Sequence, residues 1–209
     1  MNNDRNLLIY RRWAPFYDQV IGRWPGLNRA RRRFLSIAGL RPGERALFVG
    51  VGTGLDLPLV PEDLEVVGVD LSPEMLERAK LMAKNRPSIR LLRMNAENLA
   101  FPERSFDAVF LHLILSVVEH PRRALAEAVR VLRLGGRCLI LDKFAPVHRR
   151  PSGIRRLFNR VATRLGTDIE RSWEPWAEGL PVVKEREEAA LLGGSYRIIC
   201  LRKREKKGK

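Results

Sequence analysis

Glycines at positions 50, 52 and 54 close the apolar run Leu47-Phe48-Val49, and one carboxylate, Asp70, ends a second apolar run, Val66-Val67-Gly68-Val69. Alternate glycines let a backbone bend sharply and leave room for a ligand against the main chain. A carboxylate at the following strand end can accept hydrogen bonds from both hydroxyls of a ribose. Glycine turn, strand and acid, in that order, is how a doubly wound α/β sheet holds a nucleoside. The chain is therefore expected to bind an adenosine-type cofactor.

These residues need a sheet to position them. Strands are expected at about 45–51, 66–69, 89–93, 107–111 and 137–141, alternating with helices, which implies a parallel sheet. Asn28 reads as the cap of a helix ending before Gly39, and Ser72-Pro73-Glu74 as a helix start running to about Asn85. Only a short helix fits between Leu55 and Pro61. A helix over 121–132 should stop at Gly135-Gly136. The last two strands, about 182–186 and 195–202, are too close for a helical crossover and should pair antiparallel. Tyr10, Trp13 and Tyr17 recur on one face of a helix over 6–20, broken near Pro15.

With 209 residues, 45% hydrophobic and 30% charged, one soluble domain is expected. The formal net charge is +15, concentrated in residues 1–45, around 149–164 and in the tail 202–209. Such charge leaves nucleic acid, an anionic membrane face or an acidic substrate open as partners. Cys138 and Cys200 lie in apolar strands and read as buried thiols in a reducing compartment. No Cys/His cluster suggests a metal. Arg11 and Arg12 follow the short run Leu7-Leu8-Ile9-Tyr10, unlike a secretory leader, and the longest apolar run is too short to span a bilayer. A cytoplasmic protein, with peripheral contact at the inner membrane face, is the expectation.

The cofactor choice lies between a nicotinamide dinucleotide and S-adenosylmethionine. A dinucleotide turn reads G-x-G-x-x-G, with a full helix behind it facing the pyrophosphate. This one reads G-x-G-x-G, followed by a proline-interrupted segment. With Gly50-Val51-Gly52-Thr53-Gly54, Val69-Asp70-Leu71-Ser72-Pro73-Glu74-Met75-Leu76, Asn95-Ala96-Glu97, Ser105-Phe106-Asp107-Ala108-Val109 and the stretch Arg130–Arg137, the chain resembles the class I S-adenosylmethionine-dependent methyltransferases. The resemblance covers about Tyr10 to Arg202. It implies a Rossmann-like α/β fold: a seven-stranded, mostly parallel sheet with an antiparallel C-terminal strand and helices on both faces. The fold would form one domain, with a helical cap or lid (1–40), a cofactor core (41–145), a basic substrate-side connection (146–180), the antiparallel strands (181–203) and a basic tail (204–209).

By the same resemblance, Gly50, Val51, Gly52, Thr53 and Gly54 lie against the methionyl part of the cofactor. Asp70 holds the ribose, Leu71 and Met75 flank the adenine, and Asn95, Ala96 and Glu97 form the element at its edge. Tyr10 and Tyr17 belong to a lid, with Tyr17 and His112 as candidates for contact with the reacting groups. Two departures stand out. Related chains carry an acid where Phe48 stands and often aspartate where Asn95 stands. The cofactor ammonium then needs another partner, for which Asp56 is the candidate.

Methyl transfer asks a protein to align a nucleophile and exclude water, and an amine must also lose its proton. His112, at the end of the fourth expected strand, is the candidate base. Within the superfamily the opening 10–18, Gly166-Thr167-Asp168 and Tyr196-Arg197-Ile198-Ile199 resemble bacterial phosphatidylethanolamine N-methyltransferases, with quinone-biosynthesis C-methyltransferases also near. A lipid or lipophilic small molecule is the expected acceptor. Methylation of RNA or another polyanion, and cofactor binding without catalysis, are the alternatives.

Overall fold

The computed structural model describes residue 22 and residues 24–144 and 172–205. In chain order these contain α1 (Pro25–Ala38), β1 (Arg45–Val49), a 3-10 turn (Leu57–Leu59), β2 (Glu65–Asp70), α2 (Pro73–Met82) and β3 (Ile89–Arg93). There follow β4 (Phe106–His112), α3 (Pro121–Val131), β5 (Leu132–Lys143), the short α4 (Glu174–Ala177), β6 (Val182–Leu191) and β7 (Tyr196–Lys203). One seven-stranded sheet has the order β3-β2-β1-β4-β5-β7-β6. Neighbours from β3 to β5 are parallel, and β7 runs antiparallel to both β5 and β6.

Both faces of the sheet are covered, which is why its central strands read as unbroken apolar runs. Leu47 and Val49 of β1 face a core built with Ala124, Leu125 and Ala128 of α3. Ala46 and Phe48 face the opposite core, with Phe34 and Ala38 of α1 and Leu76 and Ala79 of α2. Cys138 and Cys200 are buried free thiols, and burial pushes the Cys200 thiol up to about 11.

Three local expectations need correction. Asn28 does not begin α1; Pro25 occupies the first helical turn, and Asn28 lies inside, its Nδ2 donating to the Gly22 carbonyl at 2.8 Å. Proline at the helix start needs no N–H partner, so the helix begins without the Asn28 cap. Helix α2 stops at Met82 rather than near Asn85. Gly135-Gly136 do not stop α3, which ends at Val131; they form an irregularity within β5, where the register against β4 shifts between Phe106 and Ala108. A Cβ at Gly136 would come within 2.9 Å of the Arg133 carbonyl and 3.0 Å of the Asp107 carbonyl, so the bulge itself requires glycine.

Candidate functional site

The glycine turn leaves β1 by folding onto β2. The Gly50 and Val51 N–H groups both donate to the Val69 carbonyl, at 2.8 and 2.9 Å. Gly50, Gly52 and Gly54 have φ of 71°, 56° and 82°, where side chains are strained. A Cβ at Gly50 would meet Ile114 Cδ1 at 2.6 Å and one at Gly54 would meet Ala79 Cα at 3.0 Å, whereas Gly52 has nothing within 4 Å. Packing thus demands glycine at 50 and 54, while Gly52 faces open space of the kind a ligand fills.

Asp70 locks the turn. Its Oδ2 accepts from the Gly52 N–H and its Oδ1 from the Ser72 N–H, each at 2.9 Å. Ser72 in turn caps α2 by accepting from the Met75 N–H at 3.3 Å. Burial raises the Asp70 carboxyl above its ordinary value, and the bonds from Ser72, Gly52 and Leu71 only partly offset this. These three donors leave the carboxylate one position for a further donor. Leu71 is half-buried, and Thr53 and Met75 are buried.

The Asn95–Glu97 element serves its own loop first. Asn95 Oδ1 accepts from the Glu97 N–H at 2.9 Å, and Ala96 packs in the core. Glu97 Oε1 accepts from the Glu119 and His120 N–H groups, both at 3.1 Å, fastening this loop to the start of α3. Tyr10 and Tyr17 lie outside the described residues, as do the expected lid helix and most of the basic connection.

His112 ends β4 beside the turn. Its Nδ1 sits 2.6 Å from Asp56 Oδ2, and Arg31 Nε approaches Asp56 Oδ1 to 3.5 Å. Side-chain exposure is 7% for His112, 10% for Asp56 and 5% for Arg31. Burial favours a protonated Asp56, yet the charge and hydrogen bond of His112 together with the charge of Arg31 hold its carboxyl below the ordinary range. Buried His112 Nε2 and Arg31 Nε have no hydrogen-bond partner. Phe48 stacks on Phe110 at 4.5 Å and is 2% exposed, so it neither reaches the turn nor blocks it.

Arg31 escaped the sequence reading because it sits in the run Arg31-Arg32-Arg33, which reads as solvated charge. Helical spacing was the available signal: Arg31 falls between Leu27 and Phe34 on the buried stripe of α1. Asp142 was also missed. It is fully buried at the end of β5 and accepts from the Ser116 N–H at 3.0 Å, fixing the loop after β4.

Residues 47–140 match a family model described as a methyltransferase domain. The chain is 38% identical over 160 residues to a phosphatidylethanolamine N-methyltransferase of Cereibacter sphaeroides, covering 75% of this chain and 77% of that one. It is 37% identical over 139 residues to a demethylmenaquinone methyltransferase of Renibacterium salmoninarum, covering 62% and 57%. Among solved structures, geranyl diphosphate methyltransferase in complex with S-adenosylmethionine superposes with a TM-score of 0.70 at 19% identity, covering 85% of this chain and 86% of that one. That likeness concerns the fold. The open space at Gly52, the carboxylate beside it and the Arg31 Nε without a hydrogen bond suit a nucleoside with a charged amino-acid end. On this combined ground the chain belongs to the class I S-adenosylmethionine-dependent methyltransferases, and S-adenosylmethionine is its cofactor.

Proposed function

We propose that this enzyme methylates the amine headgroup of a phospholipid. The observation that carries the reading is the 38% identity to a phosphatidylethanolamine N-methyltransferase across more than three quarters of that protein. The net charge of +15 supports it, since each Lys or Arg near an anionic bilayer contributes about 1 kcal/mol of attraction. Among the described residues no helix is long and apolar enough to cross a membrane, so the proposed contact is peripheral.

The bound cofactor supplies a methyl group already activated on a sulfonium. The glycine turn and Asp70 fix its place at the carboxyl ends of β1 and β2. His112 Nδ1 is paired with Asp56, which leaves Nε2 as the ring nitrogen without a protein partner among the described residues. In this reading Nε2 takes the proton that an ammonium headgroup must lose before its nitrogen can attack. The freed nitrogen would take the methyl group from the cofactor held at the glycine turn, and the proton passes from His112 to water.

The test is transfer of an isotopically labelled methyl group to vesicles of phosphatidylethanolamine and phosphatidylglycerol, to a demethylated quinone precursor and to bulk RNA. Label in the headgroup, reduced at least about 100-fold in His112→Ala, is expected from the usual worth of a general base. Label only in the quinone would transfer the assignment to carbon methylation, the reading favoured by the menaquinone relative. Label only in RNA would overturn both.

A further inference from the structure

An acid is missing from the position before the glycine turn, and the structure offers a replacement on another element. Arg31 reaches from α1 to the hollow lined by Gly50, Gly52, Thr53, Asp56 and His112. Its guanidinium is almost wholly buried, yet among the described residues it makes no hydrogen bond, only the 3.5 Å approach of Nε to Asp56 Oδ1. A buried charge so poorly satisfied is costly unless a ligand completes it. Asp56 spends Oδ2 on His112 and keeps Oδ1 without a hydrogen bond. Arg31 and Asp56 carry opposite charges. A zwitterion can therefore enter without leaving an uncompensated charge behind.

We infer that Arg31 and Asp56 together receive the amino-acid end of the cofactor, the carboxylate on the Arg31 guanidinium and the ammonium on Asp56 Oδ1. Phe48, stacked away on Phe110, contributes nothing to this end. The inference rests on the cofactor lying at the glycine turn. It assigns the recognition of the methionyl charges to α1 and to the segment after the turn, rather than to β1.

Calorimetric titration of the full chain with three probes tests it: S-adenosylhomocysteine, its decarboxylated analogue S-adenosyl-3-thiopropylamine, and 5′-methylthioadenosine, which lacks the amino-acid end. The wild type should prefer S-adenosylhomocysteine over the decarboxylated analogue by about 10- to 100-fold, the worth of a charge-assisted hydrogen bond. Arg31→Gln should abolish that preference and leave 5′-methylthioadenosine binding unchanged. Asp56→Asn should reduce the preference of the decarboxylated analogue over 5′-methylthioadenosine. Asp70→Ala, which removes the acid at the end of β2 and its hold on the Gly52 N–H, should weaken all three. Arg31→Lys keeps the charge and should retain part of the preference, and thermal melting confirms that each variant is folded. Should Arg31→Gln not fold, the wild-type preference and its partial retention in Arg31→Lys decide. A folded Arg31→Gln with the full preference, or a wild type with none, would overturn the anchor while leaving the cofactor site intact. A wild type that binds none of the probes would overturn the glycine-turn placement as well.

Discussion

Two arginines are buried among the described residues, and they are treated differently. Arg197, on β7 near the antiparallel edge, is 6% exposed and donates to Glu187 Oε1 at 2.5 Å from the neighbouring strand. It also lies over the Phe144 ring at 5.1 Å. Arg31, on α1 beside the glycine turn, is 5% exposed and meets only Asp56, at 3.5 Å and without a hydrogen bond. The antiparallel region gives its guanidinium a carboxylate partner through Nη1, although Nε of Arg197, like that of Arg31, has no hydrogen bond among the described residues. The glycine-turn region, among the described residues, gives its guanidinium no hydrogen bond. Burial of a charge therefore says little about function; what separates the two sites is whether the protein supplies the guanidinium with a hydrogen-bonded carboxylate.

The largest effect is expected from Asp56→Ala, which strips the counter-charge from Arg31. Unfolding in urea should show a loss of about 3–5 kcal/mol, as for a buried pair deprived of one member. Acid should narrow the gap between wild type and this variant. The folded Asp56 carboxyl lies below its ordinary 3.8, so its contribution is complete above that value and disappears as pH falls through the folded value. A gap that widens on acidification would contradict the pairing. Asp70 has the opposite sign. Its raised carboxyl disfavours the folded state as pH climbs past 3.8, and acid relieves that cost.

Glu187→Gln comes next, with a loss of about 1–3 kcal/mol from the weakened Arg197 bond. Affinity for S-adenosylhomocysteine should be unchanged, because this pair faces no ligand; a parallel loss of affinity would erase the distinction between the two arginines. Gly52→Ala should cost about 1–2 kcal/mol through its left-handed backbone. Its chief effect should appear in titration as weakened cofactor binding, since the new methyl group enters the open space. The smallest effect is expected for Arg33→Ala. Arg33 pairs with Glu188 on the surface, and neither the unfolding midpoint nor cofactor affinity should change measurably.

Some of this was legible in one dimension and some was not. The parallel strands were readable because apolar runs bounded by turn residues have a local cause, and β3 matches its expected bounds at Ile89–Arg93. The cap at Ser72 was equally readable, because hydroxyl, proline and acid act on the same turn. The Gly135-Gly136 bulge was not. Glycine there answers to the Asp107 carbonyl on another strand, and a helix stop and a strand bulge look alike without that neighbour.

The glycine spacing and the acid at the end of β2 carried the nucleoside reading from the chain alone, since both are fixed by backbone geometry within one βαβ unit. The meeting of Arg31, Asp56 and His112 was decided only by the tertiary structure. They come from α1, the segment after the turn and the end of β4, and no local rule links them. Packing α1 against the sheet brings its one charged buried position onto Asp56, a long-range contact that the run of arginines alone does not signal.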